Sequence, residues 1–446
     1  MNIGHNLDEK YLRKKYSVAK LLAPTGGILS GITRLCGEHT APDFEIAVSN
    51  IDNMTHTFSH ITQPDGMDAL NEPMGGAGAD VDVELAWIRA AMEGAERYAN
   101  MAYHESDFII AAANDLPNAM DLDTVPRCSE TEYANPYCPY RPADKSLPIR
   151  WSRAFSLTEK REMFVPSVMA HLYLKPGVSE AFWQEISTGC AAHYSLEKAL
   201  VSAICEVIER DAIAMTWLAK LPLPQIEITQ PCPPELDKNL QILAKGRVRQ
   251  TFYDATTDLG IPIVYSIQTL EEHPTVAQYV NCAVSFNAAE CCAKTIREAA
   301  PARAVLCHVD DTPADTEDFR SLYDGAAHLG NPNYRDEFEF LLNTPNRTTL
   351  DAMKIEAPED DKGQLNFLLD RIKSHDMDVF AVDLTTQEQR ALGIWVVRVI
   401  IPQLMPMSTV QRGRFLGHKR LYEYPEKAGF GSLSEADINP TPQPFA

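Results

Sequence analysis

Two segments carry residue types from which metal-assisted chemistry can be built. Ala91-Met-Glu93-Gly-Ala-Glu96-Arg97 and Ile204-Cys-Glu206-Val-Ile-Glu209-Arg210 both read Glu-x-x-Glu-Arg. On a helix, residues three apart share a face, so Glu93 points with Glu96, and Glu206 with Glu209. Small residues precede both pairs: Ala86 and Ala90 before the first, Ala199, Ser202 and Ala203 before the second. They leave room for something bulky. Four facing carboxylates cannot all stay charged without cations. Mg²⁺ suits such a set, because it takes oxygen ligands and keeps positions open for substrate phosphates. Two other readings stand beside this one. Each segment alone is compatible with a solvated helix face bearing local Glu–Arg pairs. A di-metal carboxylate protein of the di-iron type also pairs glutamates, but it usually wants Glu-x-x-His, and neither segment has that His.

Two more features bear on the same chemistry. In Lys294-Thr-Ile-Arg-Glu298, the first and last residues lie one helical turn apart. They form either an ordinary surface pair or a phosphate-facing cation beside a further acidic ligand. The chain ends Pro440-Thr-Pro442-Gln-Pro444-Phe-Ala446. Alternating prolines stiffen a tail into polyproline II that reaches far at little entropic cost; a disordered end is the competing reading. No Walker motif is present.

The elements that must position these residues follow from periodicity. Val83 to Ala99 has few breakers and many helix formers, which predicts a helix. Ser195 can cap a second helix running to about Leu218, with Leu196, Leu200, Ala203, Ile204, Val207 and Ile208 as its apolar stripe. A third helix is expected from Ala289 to Leu306, perturbed by Pro301. Lys20 to Ile28 reads as a turn before an apolar strand. Arg150–Leu157 and Phe164–Leu174 flank Thr158-Glu159-Lys160-Arg161 as a hairpin, and Gly260–Leu270, Val379–Leu384 and Ile394–Ile401 read as strands. Residues 114–148 are expected to form a long surface loop, and Pro222–Pro234 a proline-rich connection. The mixture implies an α/β architecture with helices packed on sheets. Two internal echoes hint at related halves around a shared cleft: the Glu-x-x-Glu-Arg segments, and Asp254-Ala-Thr-Thr257 against Asp383-Leu-Thr-Thr386.

The 446 residues carry a formal charge of -22 and are 45% apolar. That charge repels nucleic acid and anionic membranes, and it requires any nucleotide site to carry its own local cations. Residues 1–20 contain no apolar signal segment. The best apolar run, Leu392–Met407, is broken by Arg398, Pro402, Gln403 and Pro406, so no membrane span is expected and the location expected is cytoplasmic. None of the 10 cysteines sits in a C-x-x-C or zinc-ribbon spacing, which predicts reduced thiols.

The two acidic segments, the stretch Ser187-Thr-Gly-Cys-Ala-Ala-His-Tyr-Ser-Leu-Glu-Lys-Ala199 leading into Arg210-Asp211-Ala212, the Lys294/Glu298 pair, Ile400-Ile-Pro402, Asp437-Ile-Asn-Pro440 and the proline tail occur in the order seen in the YcaO family. The chain resembles that family over roughly residues 20–446. Its terminus resembles the azoline-forming branch, the cyclodehydratases of thiazole/oxazole-modified peptides. The resemblance implies a YcaO-type fold around an ATP cleft. It also implies an N-terminal segment over 1–60, a catalytic domain over 61–430 and a tail over 431–446 that reaches the active site. Glu93, Glu96, Glu206 and Glu209 would bind the Mg²⁺ ions of ATP. Arg210 would contact phosphate, and Lys294 and Glu298 match a pair that is usually Arg and Glu. Pro440, Pro442, Pro444 and Ala446 would help position or deprotonate the substrate. The family often has Ser where Arg89 stands, and its Ser, Asn and Gln/Glu contacts fall on Ala191, Tyr194 and Lys198. The implied reaction converts Cys, Ser or Thr of a ribosomally made precursor peptide to thiazolines or oxazolines. Implied partners are that peptide, an E1-like or leader-binding protein, and a flavin dehydrogenase acting afterwards; a homodimer or larger complex is expected. Thioamide or macrocyclic amidine formation on the same ATP site is the alternative.

Overall fold

Three capped helices place the acidic segments. The computed structural model describes residues 9–445 apart from 24–25, 38, 52–53, 55–57, 59, 61–74 and 310–311. Helix α1 spans Val83–Met101 and starts where the Asp82 carboxylate accepts the Glu84 and Leu85 N–H groups. Helix α2 spans Leu196–Leu218, and Ser195 caps it by accepting from the Lys198 N–H. Helix α3 spans Ala288–Leu306, with Asn287 accepting from Ala289, and Pro301 does not end it. Such caps each contribute about 1 kcal/mol by satisfying donors the helix leaves unpaired.

The strands form three sheets among the described residues. Gly31–Leu35 (β1), Glu45–Asn50 (β2) and Ala77–Asp80 (β3) make an antiparallel sheet. A six-stranded sheet takes Ile109–Ala112 (β4), Pro148–Ser156 (β5), Arg161–Pro166 (β6) and Cys190–His193 (β7). It is completed by two late strands, Phe380–Asp383 (β13) and Trp395–Ile400 (β14), in the order β4-β5-β13-β14-β7 with β6 paired to β5. Between them in sequence lie Gln225–Glu227 (β8), Arg249–Asp254 (β9), Ile263–Thr269 (β10), Gln278–Val284 (β11) and Arg347–Thr349 (β12). These make a five-stranded sheet ordered β11-β10-β9-β8-β12. The molecule is thus a mixed α/β fold.

Burial explains which helix meets which sheet. The Ala86, Ala90, Ala91, Gly94 and Ala95 stripe of α1 is buried. Residues that small let the helix axis approach β2 and β3 closely. Helix α2 is buried on nearly every side beyond Ile208 because it runs through the largest core cluster, its own Trp217 packed there with Tyr253, Tyr265 and Phe415. Each large apolar side chain fully buried there contributes roughly 1.5–3 kcal/mol.

Several expectations need adjustment. Residues 114–148 are not simply a surface loop. They hold the short helix Glu130–Ala134, and Met120, Leu122, Val125 and Cys128 are buried. The Glu132 carboxylate fastens this segment by accepting the Arg414 and Leu416 N–H groups at 2.5 and 2.8 Å. The hairpin exists, but its second strand is Arg161–Pro166 and gives way to the helical turn Ser167–Ala170. The proline-rich connection contains β8, and β11 was not foreseen. In the expected turn from Lys20 to Ile28, Pro24 and Thr25 lie outside the described residues. The second echo is local likeness: Asp254 and Asp383 each accept the N–H two residues on, at 2.9 and 3.0 Å.

Candidate active site

The four glutamates line one cavity of about 590 Å³, with Arg89, Arg97, Arg210, Glu298 and Phe445. Helix α1 supplies Glu93 and Glu96, α2 supplies Glu206, Glu209 and Arg210, and α3 supplies Glu298. Local Glu–Arg pairing is present as well. The Arg97 Nη2 donates to Glu93 Oε1 at 3.1 Å, and the Arg210 Nη2 to Glu206 Oε1 at 3.3 Å. The Arg210 Nη1 donates to Glu209 Oε1 at 3.1 Å. The two readings of Glu-x-x-Glu-Arg were therefore not exclusive: the pairs form, and they form facing a shared hollow.

Lys294 sits differently from expectation. Its Nζ lies 3.5 Å from Glu209 and 3.9 Å from Glu298, and it is absent from the cavity lining. It thus neutralises Glu209 from behind. Burial works against its charge, but Glu298 and Glu209 together raise its pKa. The same balance raises Arg97, through Glu93, Glu96 and Glu206, and Arg210, through Glu209 and Glu206.

The carboxylates remain short of positive charge. Burial pushes Glu96 well above the usual carboxylate range; Arg97 opposes this, while Glu206 and Glu93 add to it. Burial likewise raises Glu206 and Glu298, and each is further raised by Glu209. Among the described residues no three His, Cys, Asp or Glu groups converge on one point as they stand. The donor set still fits Mg²⁺: it is all oxygen, drawn from facing helices, under-neutralised and open on one side. Among the described residues no His lines the cavity, whereas a di-iron carboxylate site usually wants one.

Sequence reading missed several contributors. Gly189 donates its N–H to Glu206 Oε2 at 3.0 Å. It does so at φ +85°, where a Cβ would stand 2.3 Å from the Val399 carbonyl oxygen, so only glycine fits. Strand β11 brings Tyr279, Asn281 and Cys282 to the cavity. Beneath it, buried Arg398 places Nη1 3.0 Å from the Cys190 Sγ, and burial pushes that thiol up to about 11. Arg89 pairs with Asp80 at 2.9 Å. Ala191 packs into the core, and the Tyr194 hydroxyl accepts the Val18 N–H at 3.3 Å. Neither these two nor Lys198 lines the cavity; their neighbours Cys190 and Ala192 do.

The tail is ordered to Phe445. The Pro440 carbonyl accepts from Gln411 Nε2 at 2.7 Å, and the Thr441 carbonyl from Trp217 Nε1 at 3.0 Å. Thr441 Oγ1 donates to Glu337 at 2.8 Å. Pro442 and Pro444 are buried. A Cβ on Gly325 would stand 1.9 Å from the Gln443 carbonyl oxygen, so the tail backbone lies directly on the helix Leu322–Gly330. The Phe445 ring then covers Arg210, its centroid 5.4 Å from the guanidinium carbon. Ala446 lies outside the described residues.

Acidic side chains from three helices, interleaved with arginines, define a cleft suited to a metal-complexed polyphosphate. The comparisons give this class its family. The family model for YcaO cyclodehydratase, ATP- and Mg²⁺-binding, matches residues 76–405, and the chain belongs to that family of ATP-dependent enzymes. An uncharacterized protein of Methanothermobacter thermautotrophicus is 25% identical over 376 residues, covering 81% of this chain and 91% of its own. Among solved structures, a heterocyclase in complex with substrate and cofactor shares the fold with a TM-score of 0.80 at 20% identity. That match covers 98% of this chain but only 58% of the heterocyclase. YcaO from Methanopyrus kandleri, bound with AMPPCP and Mg²⁺, superposes with a TM-score of 0.61 at 16% identity, covering 90% and 91%.

Proposed function

We propose that this enzyme uses Mg²⁺·ATP to activate backbone amides of a ribosomally made precursor peptide and closes azoline rings from Cys, Ser or Thr. The observation that carries the reading is the convergence of Glu93, Glu96, Glu206 and Glu209 with Arg97 and Arg210 on one cavity. In this reading a Cys, Ser or Thr side chain adds to the preceding carbonyl carbon, losing its proton. The oxyanion formed takes the γ-phosphoryl group of ATP, releasing ADP. The ring nitrogen then expels phosphate and gives up its proton, leaving the thiazoline or oxazoline. An amide oxygen is a poor leaving group until phosphorylated, and catalysis of the transfer is mostly positioning and charge neutralisation.

The chain's own residues fit those tasks. The four glutamates would hold Mg²⁺, which supplies neutralisation of the phosphate charge. Arg210, which lines the cavity, would contact a phosphate oxygen. Glu298, on the cavity wall, and Lys294, 3.5 Å from Glu209 and 3.9 Å from Glu298, would help bind the nucleotide with its metal. The stretch Pro440, Pro442 and Pro444, with Ala446, would help position or deprotonate the substrate. We further propose the functional division 1–60, 61–430 and 431–446, a cytoplasmic location, and recruitment of the peptide by an E1-like or leader-binding protein.

The test is Glu206→Gln. It keeps shape and a hydrogen-bond acceptor for Gly189 but removes one charge. We expect ADP formation with Mg²⁺·ATP, partner and precursor peptide to fall at least roughly 100-fold, with an unchanged fold by circular dichroism. Turnover near the wild-type rate would refute the assignment. Loss of one water per ring, read by mass spectrometry, separates azolines from thioamides, which exchange oxygen for sulfur; amidine closure also loses one water, and fragmentation that places the loss at a Cys, Ser or Thr rather than at an amine separates the azoline from it.

A further inference from the structure

We infer that Phe445 is a positioning residue for Arg210, holding its guanidinium by the face while the glutamates hold it by the edges. This rests on the nucleotide reading above.

A guanidinium donates hydrogen bonds along its edges and accepts an aromatic ring on its face. Both modes are filled in Arg210. Its Nη1 and Nη2 reach Glu209 and Glu206 at 3.1 and 3.3 Å, and its guanidinium carbon sits over the Phe445 ring, 5.4 Å from the centroid. The ring is 4% exposed and forms part of the cavity wall. It belongs to the same core cluster as Trp217 and Phe415, so it cannot swing away without opening a void.

The edge contacts are not a dependable clamp. Glu206 and Glu209 are the carboxylates assigned to the cation, and oxygens given to a cation are withdrawn from Arg210. The face contact competes with neither cation nor phosphate. It is therefore the one contact that can keep the long side chain aimed into the cavity in every state of the site. The tail is built to deliver it: Trp217, Gln411 and Glu337 bind Thr441 and Pro440, and Gly325 lets the Gln443 backbone press onto its helix. Four residues after that anchored Thr441, the chain sets an aromatic ring on the arginine.

The test compares Phe445→Leu with Phe445→Tyr in the full-length chain. Leucine keeps apolar bulk and removes the ring; tyrosine keeps the ring. Affinity for Mg²⁺·AMPPCP is measured by calorimetry, and melting temperature alongside. We expect F445L to bind roughly 3- to 30-fold more weakly, F445Y to stay within about twofold of wild type, and both to melt within a few degrees of it. F445L binding as wild type does, or F445L and F445Y losing affinity equally, would overturn the role of the ring and leave the nucleotide reading standing. Absence of Mg²⁺·AMPPCP binding by the wild-type chain would overturn both.

Discussion

At φ +85°, Gly189 holds a conformation that residues with a Cβ rarely adopt; it gives its N–H to Glu206, and its carbonyl accepts the Val399 N–H at 2.7 Å. Gly189→Ala must shift the Val399 carbonyl or abandon that conformation. We expect a loss of about 2 kcal/mol or more in urea unfolding and weaker Mg²⁺·ATP binding, because Glu206 loses its anchor. A variant as stable and as tight-binding as wild type would show the bond to be incidental. The glutamates themselves were legible, since i,i+3 spacing fixes a shared helical face. Gly189 was not, because nothing in Ser187-Thr-Gly-Cys reports which carboxylate its N–H will meet. His171 offers a second residue-scale test. Its Nε2 bonds Ser152 Oγ at 3.1 Å, Tyr103 and Phe108 pack around it, and burial lowers its pKa to about 4. The unfolded chain therefore binds a proton near pH 6.5 that the folded chain refuses until about pH 4. Stability falls as pH drops through that window, by roughly 2–3 kcal/mol in total. His171→Phe should cost about 1 kcal/mol or less at pH 7 yet exceed the wild type in stability at pH 4.5, as read from urea midpoints.

Among the elements, α1 and α2 were readable almost to the residue. Val83 to Ala99 was expected against Val83–Met101 found, and the Ser195 cap and Leu218 end of α2 were as expected. Both helices announce themselves by caps and by apolar stripes at helical spacing. Strand β11 escaped because every residue of Gln278–Val284 is buried. A strand covered on both faces has no alternation to detect, and its Gln278 and Asn281 read as polar breaks. Each in fact bonds inside: Gln278 to the Leu329 and Asn331 carbonyls, and Asn281 to that of Thr295. Composition flagged residues 114–148 as loop, and it could not show that Glu132 would bind the backbone of Arg414 and Leu416. The tail was legible as a stiff arm but not as an arm with a fixed seat on Trp217, Gln411 and Gly325. Deleting residues 440–446 removes the Phe445 contact and the guiding stretch while leaving the four glutamates. We expect azoline formation, followed by mass spectrometry, to be nearly abolished and Mg²⁺·ATP affinity to fall by no more than about 30-fold. Comparable loss of both would make the tail a structural plug.

For the molecule as a whole, the question is what ties chain segments so far apart in sequence into one body bearing a net charge of -22. Arg420 is a main tie. It is 7% exposed, and its Nε and Nη2 grip the fully buried Asp211 of α2 at 2.7 and 2.8 Å. The same guanidinium reaches Asp258, between β9 and β10, at 2.7 and 3.1 Å, and Asp211 also accepts the Met405 N–H at 2.8 Å. One side chain thus joins helix α2, the five-stranded sheet and the C-terminal segment that leads to the tail. Breaking a buried pair on one side leaves an uncompensated charge, so Asp211→Asn should cost about 3–5 kcal/mol, measured in urea, although Asp211 lines no part of the cavity. Asp258 fixes the pH behaviour of this tie. Burial would raise its pKa, but the hydrogen bond and charge of Arg420 prevail and hold it below the ordinary value. Its contribution is complete above about pH 4, where the unfolded carboxylate is already ionised, and fades as pH falls through the lower folded value. Acid loss should therefore include a window from His171 between about pH 6.5 and 4 and, below it, one to which Asp258 contributes with other lowered carboxylates such as Glu180 and Asp383. Asp258→Asn should reduce only the lower window and H171F only the upper. If either substitution reshaped the other's window, the two sites would be coupled through the body rather than acting as separate ties.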